Sequence, residues 1–579
     1  MKYALDHLVI LAFPEESTQS VITRMAIGGV KYFGICLVVD TNQRLLGVFN
    51  NGDVLRLMAR GSNTHVSIGE VMVTNPIVVT EELTDAQVLA SVRQQVRQRN
   101  PKKHKELTQY VPVVDQMGVV VDILDIYDLL ARMPHQGERV AIYGMGYVGL
   151  TLAAALASLG HMVTGIDTNT QLIQALKKGK PHVLEPRLPD LIRQGQANGS
   201  LVFTTTPQDE HHRVVVIAVG TPIDDSFQAS MAALEAVCAV VGPRLRRGDL
   251  VLLRSTVPVG TTRSLVIPQL ECYSGLVAGK GFHVAFTPER TVEGQAIQEL
   301  SSLPQVVGGA TDKCVDMASV FWSTLTSSIV RVDSLEGAEL VKLINNSYRD
   351  LSFAFANGLA LLADRYNLDA NRLIQAANEG YPRNLIPRPS PGVGGYCLTK
   401  DPFLYASTGG GMGHGILAKV GRQINSDAAL YPVSIAERYA QRRQQTVAEL
   451  RILVVGIAFK GLPETNDLRG STAVEVAHKL MALGAEVVCW DAVVETSVLS
   501  HYGLQPTDSL ALSERVDAIL LLNNHPDNVP EGLLSRLADR PVLIFDGWHL
   551  LERHQVEKYP YMTYATLGYM TPLSQPLLS

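Results

Sequence analysis

The chain has 579 residues, of which 46% are apolar and 18% are charged, and its formal net charge is −6. This length predicts about four domains, and the composition is that of a globular protein with several cores. The acidic balance argues against a nucleic-acid-binding protein, and no apolar run reaches the length of about 18 residues that a membrane span requires.

The N-terminus and the cysteines indicate the compartment. Asp6 and His7 interrupt the first apolar stretch, so no secretory signal is predicted. The six cysteines are scattered and form no CxxC pair, which predicts neither a disulfide framework nor a metal site. We therefore predict a cytoplasmic protein whose thiols are reduced.

Residues 1–133 contain two copies of one pattern of short apolar strands, a turn, another strand, and an acidic residue that opens a helix. The acids are Asp53 and Asp125. The repeat resembles a tandem pair of CBS domains, an α+β module that commonly binds adenine nucleotides, and this implies that both aspartates contact a ribose. The alternative is that they only cap helices. Asp122 stands where that family usually has a threonine, and it would repel a phosphate.

A dinucleotide-binding fingerprint follows a short linker. An apolar strand runs into G-x-G-x-x-G, formed by Gly144, Gly146 and Gly149, and an alanine-rich helix leads to a second strand that ends at Asp167. The glycines permit the tight turn, the approach of a pyrophosphate to the helix N-terminus, and the packing of helix on strand. Asp167 can accept hydrogen bonds from both ribose hydroxyls and would repel a 2′-phosphate, so NAD is the predicted cofactor.

Further residues complete the predicted NAD-binding Rossmann domain at 138–320. Tyr147 and Val148 open the fingerprint helix. Thr221 and Thr256 follow the apolar strands in "VVVIAVGTPID" and "LVLLRSTVPVGTT". Because the carboxyl ends of strands in a doubly wound sheet face the ligand, both threonines should lie near the cofactor or substrate.

The spacing of the apolar residues changes in the second half of the chain. Residues 335–369 have helical periodicity and few charges, which predicts a helix buried along most of its length and suited to a subunit interface. We predict a helical central domain at 321–445. Strand–helix alternation returns at 446–579 and predicts a second Rossmann-like domain, ending in a tail after about residue 560. The fold class is therefore α/β, with two Rossmann-like domains joined by helices and preceded by the repeat.

From about residue 138 to 560 the chain resembles the UDP-glucose/GDP-mannose dehydrogenase family. The matching motifs, in chain order, are "GMGYVGLTLA", "GIDTN", "VGTPID", "RSTVPVGTT", "TPERTVEGQAI", "AELVKLINNSY", "PGVGGYCLTKDP" and "GIAFKGLPETNDLRGS". The resemblance implies oxidation of the C6 alcohol of a UDP-hexose to a carboxylate with two molecules of NAD. The apolar helix predicted at 335–369 favours a homodimer or higher homo-oligomer. Other possibilities are a one-step dehydrogenase of the 6-phosphogluconate type and a non-catalytic nucleotide-responsive regulator.

The resemblance assigns roles in catalysis. Cys397 matches the family nucleophile, which the chemistry needs because an aldehyde must take up a nucleophile before it can lose a second hydride. Lys342 and Asn346, one helical turn apart, match the pair that binds the C6 oxygen. Asp401 matches a residue that orients the site, and its alternative role is to cap a helix. We expect Lys400 and the helix end to lower the pKa of the Cys397 thiol.

A glutamate and a threonine complete the implied catalytic set. Glu289 matches the acid/base glutamate, and Glu293 belongs to the same loop and is assigned to the substrate. The alternative for either is a salt bridge with Arg290 or Lys342. Thr221 matches a threonine near the reacting carbon, although a turn hydroxyl before a proline is an equally ordinary role.

The implied nucleotide end of the substrate site is basic. Lys460 and Arg469 match residues near the sugar and diphosphate, and Arg388 lies in the loop over which the uracil lies in relatives. Gly394 is expected to let a sugar carbon approach. The identity of the sugar stays open, because "CLTKDP" is typical of glucose-type members whereas "PGVGG" is typical of N-acetyl sugar members.

Overall fold

A computed structural model of the protein describes residues 10–572 except 28–34, 51–52, 55–56, 58–65, 84–86, 89–90, 93, 96–109, 126–128, 130–136, 208–209, 225–226, 327, 409–412 and 508–515. Among the helices within these ranges, none is both long enough and apolar enough to cross a membrane.

The N-terminal region forms two three-stranded sheets of one topology. Their strands are β1 (Ile10–Ala12), β2 (Ile35–Val39), β3 (Leu45–Asn50), β4 (Val79–Thr80), β5 (Tyr110–Val114) and β6 (Val120–Asp125). In each sheet the first pair of strands is parallel and the second antiparallel. The described helices here are α1 (Thr18–Ile27) and α2 (Ile68–Val71). Leu37 and Ile123 share one buried cluster, so the two copies pack together.

An eight-stranded sheet forms the next unit, in the order β14-β13-β12-β11-β10-β7-β8-β9. Its strands are β7 (Arg139–Tyr143), β8 (Met162–Ile166), β9 (Leu201–Thr204), β10 (Val214–Ile217), β11 (Leu250–Leu253), β12 (His283–Phe286), β13 (Gln305–Gly309) and β14 (Ile329–Arg331). The six strands from β7 to β12 are parallel and have the doubly wound 3-2-1-4-5-6 order, whose crossing point lies between β7 and β10. The sheet continues to Arg331, beyond the predicted domain edge at 320.

Helices cover both faces of this sheet, as its largely apolar, buried strands require. They are α3 (Tyr147–Ser158), α4 (Thr170–Lys177), α5 (Leu188–Ala197), α6 (Ala232–Val241), α7 (Ile267–Ser274), α8 (Ala296–Ser302) and α9 (Asp312–Trp322), with short helical turns at Gly242–Arg244 and Thr262–Val266.

The central unit is helical, as predicted. It contains α10 (Leu335–Asp364), α11 (Ala370–Asn378), α12 (Asp401–Thr408), α13 (Gly413–Ala429) and α14 (Tyr431–Arg442). The α10 helix begins after Ser334, whose hydroxyl accepts a hydrogen bond of 3.0 Å from the Gly337 N–H. It was predicted to be buried along most of its length, but only one face is buried within this chain. The opposite face exposes large apolar side chains, including Tyr348 at 71% and Phe355 at 63%.

A six-stranded sheet forms the C-terminal unit, in the order β16-β15-β17-β18-β19-β20. Its elements are β15 (Arg451–Val455), α15 (Thr472–Ala482), β16 (Glu486–Trp490), α16 (Thr496–His501), β17 (Ala518–Leu521), α17 (Leu533–Arg536), β18 (Val542–Asp546), α18 (Arg553–Val556), β19 (Met562–Thr566) and β20 (Tyr569–Met570), with short helical turns at Val447–Glu449 and Pro526–Asn528. The prediction of a tail after residue 560 was wrong, because β19 pairs with β18 and β20 with β19. Buried Tyr564 and Met570 hold these strands in the core.

Candidate active site

The glycine loop lies at the carboxyl end of β7, beside the crossing point of the sheet. Gly144 has a φ of +95°, and a Cβ at Gly149 would lie 1.9 Å from the Gly144 carbonyl oxygen. Both positions therefore require glycine for the turn and for helix packing. A Cβ at Gly146 would meet nothing within 4 Å. The N-cap residue of α3 is Gly146, which makes no side-chain cap bond, and Gly146 and Tyr147 line a cleft where a pyrophosphate fits beside the helix N-terminus.

Asp167 follows β8 on the neighbouring strand. Its Oδ2 accepts a hydrogen bond of 2.8 Å from the Met145 N–H, and its Oδ1 accepts one of 2.9 Å from the Asn169 N–H. Each carboxylate oxygen retains a lone pair for another donor. The geometry therefore fits an acceptor for ribose hydroxyls and also locks the glycine loop onto the strand.

Tyr147 and Val148 occupy the first turn of α3, where both are half-buried. The Tyr147 hydroxyl donates a hydrogen bond of 2.5 Å to Glu185 Oε2 and accepts one of 3.0 Å from the Gly294 N–H. Burial and the Glu185 carboxylate raise the pKa of the Tyr147 phenol. In this structure Tyr147 thus ties the fingerprint helix to the loop that carries Glu293.

Thr221 and Thr256 meet where the loops after β10 and β11 adjoin. The Thr221 hydroxyl donates a hydrogen bond of 2.5 Å to the Thr256 carbonyl. Lys400 Nζ donates one of 3.4 Å to the Thr221 hydroxyl, which connects the first sheet to the start of α12. The proximity of the two threonines agrees with the rule that neighbouring parallel strands end at one edge.

Four polar side chains, two from α10 and two from residues 400 and 401 at the start of α12, converge in the buried wall of the site. Lys342 is only 8% exposed, which fits the prediction of a buried cation. The Asn346 side-chain amide donates a hydrogen bond of 2.6 Å to Asp401 Oδ2, and Lys400 Nζ lies 3.1 Å from Asp401 Oδ1. In the part of the chain that the structure describes, no backbone N–H donates to the Asp401 carboxylate, so its contacts are those of the site and not of a helix cap.

Cys397 opens into the cleft just before α12, and its side chain is accessible to solvent. Protein atoms nevertheless surround the thiol from several sides. This desolvation, followed by the Asp401 carboxylate, raises its pKa, and the opposing effects of Lys342 and Lys400 are smaller. The predicted direction was therefore wrong. Lys400 does favour the thiolate, but it is paired with Asp401.

Glu289 follows β12 and is buried in an ion pair. The Arg254 guanidinium donates to Glu289 Oε2 at 3.1 Å from Nε and at 2.5 Å from its terminal nitrogen. Burial alone would raise the pKa of Glu289, but Arg254 and the Thr291 N–H bring it below its usual value. Lys342 acts in the same direction. The alternative prediction was a salt bridge of Glu289 with Arg290 or Lys342. A salt bridge is present, but Arg254 is the cation that forms it.

Glu293 lies at the junction of the first sheet and the C-terminal unit. Lys460 Nζ donates a hydrogen bond of 2.6 Å to the Glu293 carbonyl, and Arg469 lies 4.0 Å from the carboxylate. Burial and Asp467 raise the pKa of Glu293, while burial lowers the pKa of Lys460. The guanidinium of Arg469 also lies over the Tyr396 ring at 5.1 Å. Lys460 and Arg469 are therefore gathered beside the loop that precedes Cys397.

Gly394 and Arg388 have surroundings that the sequence did not indicate. A Cβ at Gly394 would lie 2.6 Å from the Gly470 carbonyl oxygen and 3.4 Å from Phe459 Cβ. Close packing against the C-terminal unit therefore requires this glycine, whereas the approach of a sugar carbon was the predicted reason. Arg388 is exposed and lines a separate cavity of about 970 Å³ with α11 and His549.

The N-terminal aspartates lie outside this cleft. The Asn50 N–H donates a hydrogen bond of 2.9 Å to Asp53 Oδ2, and the Asp53 N–H donates one of 3.2 Å to the Asn50 side chain. This reciprocal arrangement is that of a helix cap. Asp125 closes β6, and its side chain lies outside the described residues. Contact of either aspartate with a ribose stays a prediction.

Sequence reasoning missed several buried charges. Arg254 directly follows the four apolar residues of β11, and a charge at the end of a buried strand could have signalled it. Asp350, one helical turn beyond Asn346, is fully buried and follows the same i+4 spacing. Among the described residues no group of three or more His, Cys, Asp or Glu side chains could hold a metal ion.

Comparison with known families finds three consecutive matches to the UDP-glucose/GDP-mannose dehydrogenase family. Its NAD-binding domain matches residues 138–326, its central domain 336–426 and its UDP-binding domain 453–553. The N-terminal repeat lies outside all three.

Similar proteins carry names of the same activity class. The chain is 32% identical over 401 residues to the UDP-N-acetyl-D-mannosamine dehydrogenase of Yersinia pestis, an alignment that covers 67% of this chain and 94% of that protein. It is 31% identical over 396 residues to the NDP-N-acetyl-D-galactosaminuronic acid dehydrogenase of Ralstonia nicotianae, covering 67% and 91%. The solved structure of UDP-D-ManNAc dehydrogenase from Pyrococcus horikoshii superimposes with a TM-score of 0.67 at 29% identity, covering 74% of this chain and 99% of that one.

Proposed function

The chain belongs to the UDP-glucose/GDP-mannose dehydrogenase family, with NAD as its cofactor, and on this basis we propose that it oxidises the C6 alcohol of a UDP-bound hexose to the carboxylate. The observation that carries the proposal is the convergence of Cys397 with Lys342 and the Asn346–Asp401 pair. A dehydrogenase that stopped at the carbonyl would not need this thiol. Release of two NADH per sugar supports the proposal, and release of one points to a single-step dehydrogenase.

The first oxidation needs stabilisation of negative charge on the C6 oxygen. Lys342 is a buried cation on the same face of α10 as Asn346, whose amide keeps a second N–H beyond the one given to Asp401. Together they can stabilise the oxygen while its proton passes through water to the Glu289 carboxylate. The glycine loop and Asp167 would hold NAD, which when bound would supply the acceptor for the hydride. The product of this step is an aldehyde.

The second oxidation uses Cys397. Its thiolate adds to the aldehyde carbon and forms a thiohemiacetal whose oxygen lies with Lys342 and Asn346. Transfer of a second hydride from this tetrahedral carbon, for which a second bound NAD would be the acceptor, would give a thioester, and attack by water would then release the carboxylate and restore the thiol. Glu289, kept ionised by Arg254, can act as the base that takes the proton of the water. Asp401 holds Asn346 and Lys400 in place during both steps.

The nucleotide end of the substrate is assigned to the junction with the C-terminal unit. Lys460, Arg469 and the ring of Tyr396 lie there together, and they suit a diphosphate and a base. The names of the two matched relatives favour an N-acetylated hexosamine over glucose as the sugar. Turnover of UDP-N-acetylmannosamine, UDP-N-acetylgalactosamine and UDP-glucose at equal concentration tests this choice.

The exposed face of α10 is assigned to a second copy of the chain. Ile344, Tyr348, Phe355 and Leu362 are all exposed. At about 100° per residue they fall within an arc of roughly 40°, on the side of the helix opposite Lys342 and Asn346. A stripe of this kind on a 30-residue helix can pair with its own copy about a two-fold axis.

The N-terminal repeat is assigned an adenine nucleotide, as the CBS resemblance implies. The matching topology of its two sheets supports this assignment. Calorimetry of the full chain with ATP, ADP and AMP, compared with Asp53→Ala, tests it. Heat of binding that is lost in the variant is the expected result.

A further inference from the structure

A buried polar network lies beneath the loop that carries Cys397, and the proposed mechanism does not use it. Its members, from α10, α13 and the loop itself, are Asp350, Asn357, Ser390, Arg422 and Asn425, and all are less than 9% exposed. Buried charges and amides destabilise a fold unless they are paired. The side chains of Asp350, Asn357, Arg422 and Asn425 hydrogen-bond one another, and the Ser390 backbone N–H joins them through Asn357. The contacts of these groups with the loop therefore show what the network holds.

One arm of the network joins α10 to the loop. Asp350 Oδ1 accepts hydrogen bonds of 2.6 Å from the Arg422 guanidinium and 2.8 Å from the Asn425 amide. The two terminal nitrogens of Arg422 also lie 3.5 Å and 3.4 Å from the Val393 carbonyl, as donors. The guanidinium therefore bridges a carboxylate on the helix and a backbone carbonyl four residues before Cys397.

A second arm holds the loop three residues earlier. The Asn357 amide donates a hydrogen bond of 2.9 Å to Asn425 Oδ1, and the Ser390 N–H donates one of 2.9 Å to Asn357 Oδ1. The Ser390 hydroxyl donates one of 2.6 Å to the Gly392 carbonyl. The loop is thus fixed at two points to side chains that are themselves linked through Asn425.

The network and the catalytic side chains share one face of α10. At about 100° per residue, Lys342, Asn346, Asp350 and Asn357 all lie within an arc of roughly 80°. A single rigid helix therefore carries both the groups assigned to the C6 oxygen and the groups that hold the loop. The distance from the Cys397 thiol to the side chains of Lys342 and Asn346 therefore depends on how α10 holds the loop.

We propose that Asp350 and Arg422 are positioning residues, which hold the 390–397 loop so that the Cys397 thiol faces the carbon whose oxygen Lys342 and Asn346 bind. This placement would serve the proposed oxidation at C6, so its effect on catalysis rests on the proposed function. The placement of the thiol can be measured without any substrate.

The experiment follows the reactivity of Cys397 in Asp350→Asn and Arg422→Lys. Both are made in a Cys272→Ser background, because Cys272 is the other exposed cysteine. The matched control is Arg438→Lys. Arg438 donates at 2.9 Å to Asp364 Oδ1 on the same helix α10, but this pair does not touch the loop. The rate of alkylation by iodoacetamide is measured against pH in the full-length protein without ligands, and kcat and KM are then measured for NAD and UDP-sugar.

Both network variants are expected to move the alkylation midpoint to lower pH. Burial and Asp401 raise the pKa of this thiol in the ordered loop, and a displaced loop escapes both effects. We expect kcat to fall roughly tenfold to 100-fold, the scale of an ångström-sized misplacement, with the KM for NAD within about twofold of the parent. The control should match the parent in every measurement.

The proposal is overturned if the network variants keep the control's alkylation midpoint, whether or not kcat falls. Should Arg422→Lys lack a cooperative thermal transition, Asp350→Asn, which is nearly isosteric, decides alone. A parent protein that oxidises no UDP-sugar would defeat the proposed function, and the alkylation profiles would still decide where the network places the thiol.

Discussion

The Asn346 amide donates a hydrogen bond of 2.6 Å to Asp401 Oδ2, which joins the long helix α10 to the start of α12. The same carboxylate also acts on Cys397. Asp401 is the second cause, after burial, of the raised pKa of the thiol. The Asp401 carboxylate therefore both orders the Asn346 amide and disfavours the Cys397 thiolate. A substitution at Asp401 can separate these two effects, because one is read from turnover and the other from the pKa of the thiol.

Asp401→Asn should lower the pKa of Cys397, because the largest effect that raises it after burial is removed. The thiolate is the reactive form, so the midpoint of alkylation against pH should move downward. Turnover should nevertheless fall, since Asn346 and Lys400 lose their charged partner. Asp364→Asn, at a distant site on α10, serves as the control with an unchanged midpoint. A midpoint that stays in place or rises in Asp401→Asn would contradict this account.

Cys397→Ser should abolish formation of the uronate. A serine hydroxyl is far less nucleophilic at neutral pH than a thiolate, so the sequence of steps should stop at the aldehyde. The measurement is the yield of carboxylate, together with trapping of the aldehyde by hydroxylamine. Cys272→Ser, the matched change at the other exposed cysteine, should retain full turnover. Uronate formation at the parent rate in Cys397→Ser would show that the nucleophile is another group.

The local parts of the site were predictable from the sequence. Gly144, Gly149 and Asp167 are close in the chain, and their roles follow from one strand–turn–helix unit whose spacing is set by backbone geometry. The pairing of Lys342 with Asn346 on one helical face follows equally from the period of the helix. Both predictions depend only on regular spacing between residues that are close in the chain.

The long-range parts were not predictable in the same way. Arg254 and Glu289 are separated by 35 residues and meet only because β11 and β12 are neighbours in the sheet. Gly394 is required by the Gly470 carbonyl of another unit, and nothing local to the glycine indicates it. The sign of the shift at Cys397 depends on burial by several elements at once, so the nearby Lys400 suggested the wrong direction.

The exposed stripe on α10 predicts a dimer that charge should disrupt. Phe355→Glu combined with Tyr348→Glu places two carboxylates on a face that would be desolvated by a second copy. The expected result is a shift to monomer in light scattering coupled to size-exclusion chromatography. Val320→Glu, at a side chain of similar exposure, 61%, on α9, should leave the mass unchanged. A monomeric parent protein, or variants with the parent's mass, would count against the interface.

The buried pair of Arg254 and Glu289 should be visible in stability and in its pH dependence. Arg254→Met leaves the carboxylate buried without its cation and should lower the free energy of unfolding by about 3–5 kcal/mol, whereas the double variant with Glu289→Met should lose less. The pKa of Glu289 is below its usual value, so its stabilisation is complete above the unfolded pKa of about 4.3 and is lost as pH falls through the folded value. Urea unfolding between pH 3 and 7 measures both effects. Equal losses in the single and double variants, or the same pH slope in parent and Glu289→Met, would mean that the pair contributes no coupled stabilisation.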